Sequence, residues 1–222
     1  TRTQCGMLRL SHVGCEVDLV GWVDARRDHG EVLFIHLRDW SGVVQVVFNR
    51  EKAGKVFEQA TTLHEEYCLA VHGQVIRRIE GTENPGIETG EIEVVATDMT
   101  ILNVSKTLPF PVSEKAMVAG SAVAAPATVG EDVRLRYRYL DLRRPSMQSN
   151  LCNRYRTLKQ ARDILDRRGF VEVETLVLTK STPEGARDYI VPSRVHPGCF
   201  YALPQSPQLF KQMLMDRGMQ RS

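Results

Sequence analysis

Phe34, Gln45 and Glu93 come from three separate apolar stretches, and each falls on the polar side of its own two-residue alternation. In residues 32–39, Leu33, Ile35 and Leu37 share one face, which must be the core, while Phe34, His36 and Arg38 share the other. Val44, Val46 and Phe48 point inward in the next stretch and leave Gln45 on the same surface as Phe34. Ile92, Val94 and Ala96 point inward further on, with Glu91 and Glu93 outward. An outward ring can stack an unpaired base, worth roughly 1–3 kcal/mol. The Gln45 amide both donates and accepts, and a carboxylate accepts two bonds, which matches the paired N–H donors of guanine's Watson–Crick edge. Arg26 and Arg27 lie close enough in sequence to take phosphates. The same residues also fit a surface with no ligand, because single outward apolar side chains are common and Arg-Arg-Asp is usually a solvated turn.

A second group lies near the C-terminus. Ser206-Pro207 starts a helix, since Ser suits a cap and Pro the first turn. Gln208 and Lys211 are three apart and so share a face of it. Ser206 then sits where the helix dipole favours an anion. On spacing alone, Lys211 reads more readily as a solvated helix lysine.

The elements that must position these groups fall into two blocks. The first holds five strand candidates (residues 17–23, 32–39, 43–48, 67–77 and 91–96) and one helix, whose Ala53, Val56, Phe57, Ala60 and Leu63 recur at helical spacing. The helix lies between the third and fourth strands, which is the layout of an OB-fold barrel, an architecture that binds oligonucleotides. Residues 80–86 are a loop by their Gly and Pro content. The second block opens with a helix at 150–168, striped by Leu151, Tyr155, Leu158, Ala161 and Leu165 and stopped by Gly169. Residues 170–175 and 200–203 read as strands, and Leu209, Phe210, Met213 and Leu214 give the last helix an apolar face. The fold class is therefore α+β. The expected boundaries are a barrel at 1–108, a linker or loosely ordered insertion at 109–132, and a second domain at 133–222.

Composition narrows the function classes. Of 222 residues, 42% are hydrophobic and 25% charged, ordinary values that exclude wholesale disorder. No apolar run approaches the ~18 residues of a membrane span. The N-terminus lacks the apolar core of a signal peptide and does not start with Met, as expected of a processed, trimmed or partial chain. Five scattered cysteines without a C-x-x-C pair predict reduced thiols and no metal site. A net charge of only +2 gives no whole-molecule field for nucleic acid, so any such role must be local.

Several strings are recognisable. Gly21-Trp22-Val23, Arg26-Arg27-Asp28-His29-Gly30, Leu37-Arg38-Asp39, Val43-Val44-Gln45-Val46 and Thr89-Gly90-Glu91-Ile92-Glu93-Val94 resemble the anticodon-binding domain of bacterial-type aspartyl-tRNA synthetases. The likeness continues through Leu135-Arg136-Tyr137-Arg138-Tyr139-Leu140-Asp141-Leu142-Arg143-Arg144, Thr182-Pro183-Glu184-Gly185-Ala186-Arg187-Asp188-Tyr189 and Tyr201-Ala202-Leu203-Pro204-Gln205-Ser206-Pro207-Gln208-Leu209-Phe210-Lys211-Gln212. It covers nearly the whole chain except residues 113–130. The resemblance implies a class II ligase that joins aspartate to ATP, with Mg2+, as an adenylate and transfers it to tRNA-Asp. It implies a cytoplasmic enzyme with no membrane partner, a homodimer at full length. By that resemblance Phe34 would stack an anticodon base, and Gln45, Glu93 and Arg27 would contact anticodon bases or backbone. Glu184 would help cover bound L-aspartate, Ser206, Gln208 and Lys211 would line its site, and Lys211 would hold its side-chain carboxylate. His29 and Gly81 resemble the relaxed enzymes that charge both tRNA-Asp and tRNA-Asn.

Three departures from the family stand out. No motif 2 or motif 3 arginine string is found, so no catalytic residue is assigned, and adenylate formation needs cations on the phosphates. This chain alone is therefore expected not to make aspartyl-adenylate, and its second block, with uncovered apolar faces, is expected to aggregate while the barrel folds alone. Leu176 follows Thr175 where motif 1 normally has Pro, which puts pairing in doubt. Ala25 stands where relatives often have Arg, removing one phosphate contact. Two other readings remain: a non-catalytic tRNA anticodon-binding fragment or degenerate paralogue, and a related ligase for asparagine or lysine. The Thr-Pro-Glu-Gly-Ala-Arg-Asp and Gln-Ser-Pro-Gln strings favour aspartate.

Overall fold

The computed structural model describes residues 2–113, 129–181 and 188–219, grouped in two compact units, Thr1–Gln148 and Ser149–Ser222. In the first unit, β1 (Arg2–Thr3) precedes β2 (Glu16–Asp28), β3 (Val32–Asp39), β4 (Gly42–Asn49), α1 (Gly54–Thr61), β5 (Cys68–Arg77) and β6 (Ile92–Asn103). The strands pair as a ring. β2 joins β3, β3 joins β4, β4 meets β6 in parallel, β6 joins β5, and β5 returns to β2. This is the barrel with one helix between its third and fourth long strands that the alternation predicts.

The core follows the same alternation. Leu33, Ile35, Leu37, Val44, Val46, Phe48, Ile92 and Val94 are essentially without solvent contact, and Phe57, Ala60 and Leu63 plug the barrel from α1 and the turn after it. The β3–β4 turn is built on Asp39, whose carboxylate accepts from the Ser41 and Cys5 backbone N–H groups at 2.8 and 2.9 Å. Gly6 packs on this turn, where a Cβ would lie 2.2 Å from the Ser41 carbonyl oxygen.

β2 serves two neighbours. Residues 16–22 pair with β5 and 22–28 with β3, and a bulge between Val23 and Ala25 makes the bend. Asp24, buried at that bulge, accepts from Arg38 and from the Ser113 hydroxyl at 3.0 Å. Arg38 also donates to buried Glu66, which accepts from Arg143 as well. Glu66 holds φ +63°, a left-handed conformation that costs a non-glycine residue energy.

After the barrel, Phe110 and Val112 are buried with Leu140 in a smaller cluster beside α2 (Glu131–Arg136) and α3 (Arg138–Asp141). Asp141 is fully buried, and the hydrogen bond from Arg134, joined by Arg138 and Arg144, holds its carboxyl below the usual range.

α4 runs over Pro145–Arg167 and enters the second unit. It starts five residues before the stripe predicts because Pro145 suits a first helical turn. It ends as predicted at Gly169 (φ +80°), where Gly169 and Phe170 N–H groups bond to the Asp166 and Leu165 carbonyls. β7 (Tyr189–Pro192) pairs with β8 (Phe200–Leu203), and α5 spans Gln208–Asp216. One expectation fails among the described residues. Residues 170–175 form no strand, because no neighbour offers them a ladder, and the only bridge nearby joins Thr179 to Ala202. Of the described residues after Gln148, Ala202 alone is buried. Most of the segment expected as an insertion, 114–128, lies outside the described residues.

Candidate nucleic-acid interface

The outer face of β2, β3, β4 and β6 carries the candidate reading residues in cross-strand rows. Arg27 pairs with Phe34, Phe34 with Val47 and Val47 with Val95, forming one row. The adjacent row, about 7 Å along the strands, contains His36 and Gln45 as partners, with Glu93 beside Gln45 on β6. Phe34 is half-buried on this face, while Leu33 and Ile35 on either side of it are 0% and 1% exposed on the other. The ring therefore faces away from the core. His29, in the β2–β3 turn, stands edge-on to it with centroids 5.5 Å apart. That turn is held by Asp28, which accepts from Gly30 N–H at 3.0 Å and from Arg26 at 2.9 Å.

Gln45 Nε2 donates to Glu93 Oε2 at 2.8 Å. A carboxylate only accepts, so this bond fixes the amide orientation and leaves the Gln45 carbonyl and the second Glu93 oxygen as a pair of acceptors. The arrangement suits a planar ligand edge with two N–H donors. Gly81 sits in the β5–β6 loop at φ +84°, its N–H bonded to Glu83 at 2.8 Å. A Cβ there would meet nothing within 4 Å, so the space around Gly81 is open.

Sequence periodicity missed one residue of this site. Arg78, just after β5, is 5% exposed. Its Nε donates to the Ile92 carbonyl at 3.0 Å and Nη1 reaches the Thr82 carbonyl at 3.5 Å, while buried Nη2 has no partner among the described residues. Burial lowers its pKa, Glu93 opposes that shift and Arg27 adds to it, which puts Arg78 within the electrostatic reach of the site. Two adjacent arginines, Arg77 and Arg78, gave no signal of which one turns inward.

The second group falls at the start of α5, where Pro207 and not the expected Ser206 stands at the N-cap position, and Ser206 lies just before it. Gln208 N–H donates to Ser206 Oγ at 3.2 Å, and Gln208 and Lys211 are exposed on the same side of the helix. Glu184 lies outside the described residues. Among the described residues no group of His, Cys, Asp and Glu gathers to hold a metal, and no helix is long and apolar enough to cross a membrane.

Two family models match the chain. Residues 17–102 match an OB-fold nucleic acid binding domain of the tRNA anticodon type, and residues 130–222 match the class II tRNA synthetases (D, K and N). Among curated relatives, an Aspartate–tRNA(Asp/Asn) ligase 1 from Syntrophus aciditrophicus is 60% identical over 221 residues, 99% of this chain and 31% of that protein. An Aspartate–tRNA(Asp/Asn) ligase from Halothermothrix orenii is 55% identical over 216 residues, 97% of this chain and 35% of that protein. Over nearly its whole length the chain is similar to curated aspartate–tRNA(Asp/Asn) ligases. It spans about a third of the length of the curated relatives it matches. The class II fold also appears in an asparaginyl-tRNA synthetase from Pyrococcus horikoshii, complexed with asparaginyl-adenylate. That structure has TM-score 0.75 and 23% identity, covering 97% of this chain and 45% of that one. The two family models place an anticodon-type OB-fold segment and a class II synthetase segment one after the other in this chain.

Proposed function

We propose that the barrel reads the anticodon loop of tRNA-Asp, and of tRNA-Asn as well, for an aspartate–tRNA ligase. On this reading residues 1–108 are the reader, 109–132 a linker and 133–222 the hinge and first part of the aminoacylation domain. Phe34 stacks an anticodon base. The Gln45–Glu93 acceptor pair takes the N1–H and N2–H donors of guanine, the base with which both anticodons begin. Arg27 and Arg78 supply cations to backbone or base. The open Gly81 loop and His29 leave room for either C or U at the third position. The observation that carries this reading is the outward Phe34 ring beside the hydrogen-bonded Gln45–Glu93 pair on a closed barrel.

The ligase forms aspartyl-adenylate from L-aspartate and ATP with Mg2+ in the cytoplasm and acts as a homodimer. Lys211 holds the aspartate side-chain carboxylate, Ser206 and Gln208 flank it, and Glu184 covers it. Charging assays on tRNA-Asp and tRNA-Asn transcripts with a chain extended to the relatives' length test the relaxed specificity. Comparable charging of both supports it, and charging of tRNA-Asp alone removes it.

A further inference from the structure

Beside the reading turn lies a trough of about 930 Å³ between residues 63–67, which follow α1, and the extended strap 105–111. The anticodon reading gives it no role. Its connection to that face is direct. Arg26 lines the trough, and Arg27, the next residue, is the cross-strand partner of Phe34. Successive strand residues point to opposite sides, so β2 presents one guanidinium to each surface. Arg26 Nη2 is tied to Asp28 at 2.9 Å, and its buried Nε has no partner among the described residues.

The other lining groups form a recognisable set. Lys106 brings an exposed ammonium, and Ser105 and Thr107 bring hydroxyls. His64 and Tyr67 stand edge to face with ring centroids 5.6 Å apart. Glu65 is the one carboxylate among the described lining residues. Burial raises its pKa, with Asp24 and Glu66 adding to the effect. Cations with hydroxyls suit phosphates and riboses, and the rings suit a sugar or base. The volume is too large for one phosphate and falls within the range of sites for extended ligands.

We propose that this trough holds the RNA backbone flanking the bases read at Phe34, as a sequence-independent second contact. The inference rests on the anticodon reading and extends it from base recognition to strand placement. Lys106 neutralises a phosphate, while Glu65 opposes the strand's charge. Removing the first must weaken binding, and neutralising the second must tighten it.

The test uses the 222-residue chain and fluorescein-labelled 17-nucleotide RNA hairpins, five base pairs closing a seven-nucleotide loop with G-U-C or A-U-C at its centre. Anisotropy titrations over a salt series give affinity and salt slope. For K106A, affinity for both hairpins falls about threefold or more, the G-U-C to A-U-C ratio is unchanged, and the slope falls by about 0.7–0.9. For E65Q, affinity for both rises by about twofold or more, an effect a folding defect does not produce. K55A, on α1 away from the trough, is unchanged. If K106A and E65Q both bind like wild type while F34A binds weakly, the trough proposal is overturned and the reading face stands. If wild type binds neither hairpin, both are overturned. Lys106 is exposed on a strap without regular structure, so K106A keeps the wild-type thermal midpoint.

Discussion

At the scale of single residues, the proposed reading face depends on one amide and one carboxylate fixing each other. Gln45 donates to Glu93, so E93Q removes both the charge and the reason for the amide's orientation. E93Q is expected to cost about 1.5–3 kcal/mol against a hairpin whose anticodon begins with G. It leaves binding to one beginning with A nearly unchanged. Equal losses on both, read by anisotropy, contradict the assignment. Arg78 acts on the neighbouring loop. R78A frees the Ile92 and Thr82 carbonyls and is expected to speed amide exchange across residues 79–91 while β2 and β3 keep their protection. His72, outside the site, supplies a pH test of the barrel. The hydrogen bond to Asp18 at 2.8 Å, with Asp18, Glu16 and Asp98 charges, raises its pKa above the ordinary value. A raised folded-state pKa means the protonated form stabilises the fold. That contribution is full below about pH 6.5 and is lost as pH rises through the folded value. Urea midpoints of wild type, compared with H72Q, are therefore expected to show an advantage at pH 5.5 that disappears by pH 8.5. An advantage that grows with pH contradicts this.

At the scale of elements, β3 carries the argument, since its odd residues hold the core and its even ones face out. L37A is expected to cost about 2–5 kcal/mol, because Leu37 is 0% exposed between β2 and β4. Calorimetry or urea unfolding reads the loss. This alternation is legible in the sequence, since a single slip of register would put Leu33, Ile35 and Leu37 in water. So are the helix stop at Gly169 and the start of α5. The bulge at Asp24 is not legible, because an acidic residue between Val23 and Ala25 looks like ordinary alternation until Arg38 and Ser113 are found on it. Nor is the left-handed Glu66, whose conformation is set by the distant partners Arg38 and Arg143. The inward turn of Arg78 likewise depends on carbonyls of Thr82 and Ile92 brought together only by the closed barrel. Residues 170–175 alternate like a strand, yet local pattern supplies only one side of a ladder. On α5, the shared face of Gln208 and Lys211 was legible from spacing, whereas what faces them comes from the resemblance.

At the scale of the whole chain, the two units differ in how much they bury. The barrel has a closed core, whereas described residues after Gln148 expose Tyr155, Val177, Tyr189, Ile190 and Phe200, each at 60% or more. Brief trypsin treatment is expected to remove that region first and leave a fragment that retains the barrel. Survival of the second unit with loss of the barrel contradicts this. Exposed apolar surface on that scale also predicts strong dye binding by the whole chain that fades after trimming. The proposed division of labour follows, with RNA recognition in the part that folds on its own core. The most direct test is the affinity of the 222-residue chain for the G-U-C hairpin, wild type against F34A. A ring that stacks a base predicts a loss of about 1–3 kcal/mol, roughly five- to 150-fold, with an unchanged thermal midpoint. Equal affinity of the two proteins would contradict the account.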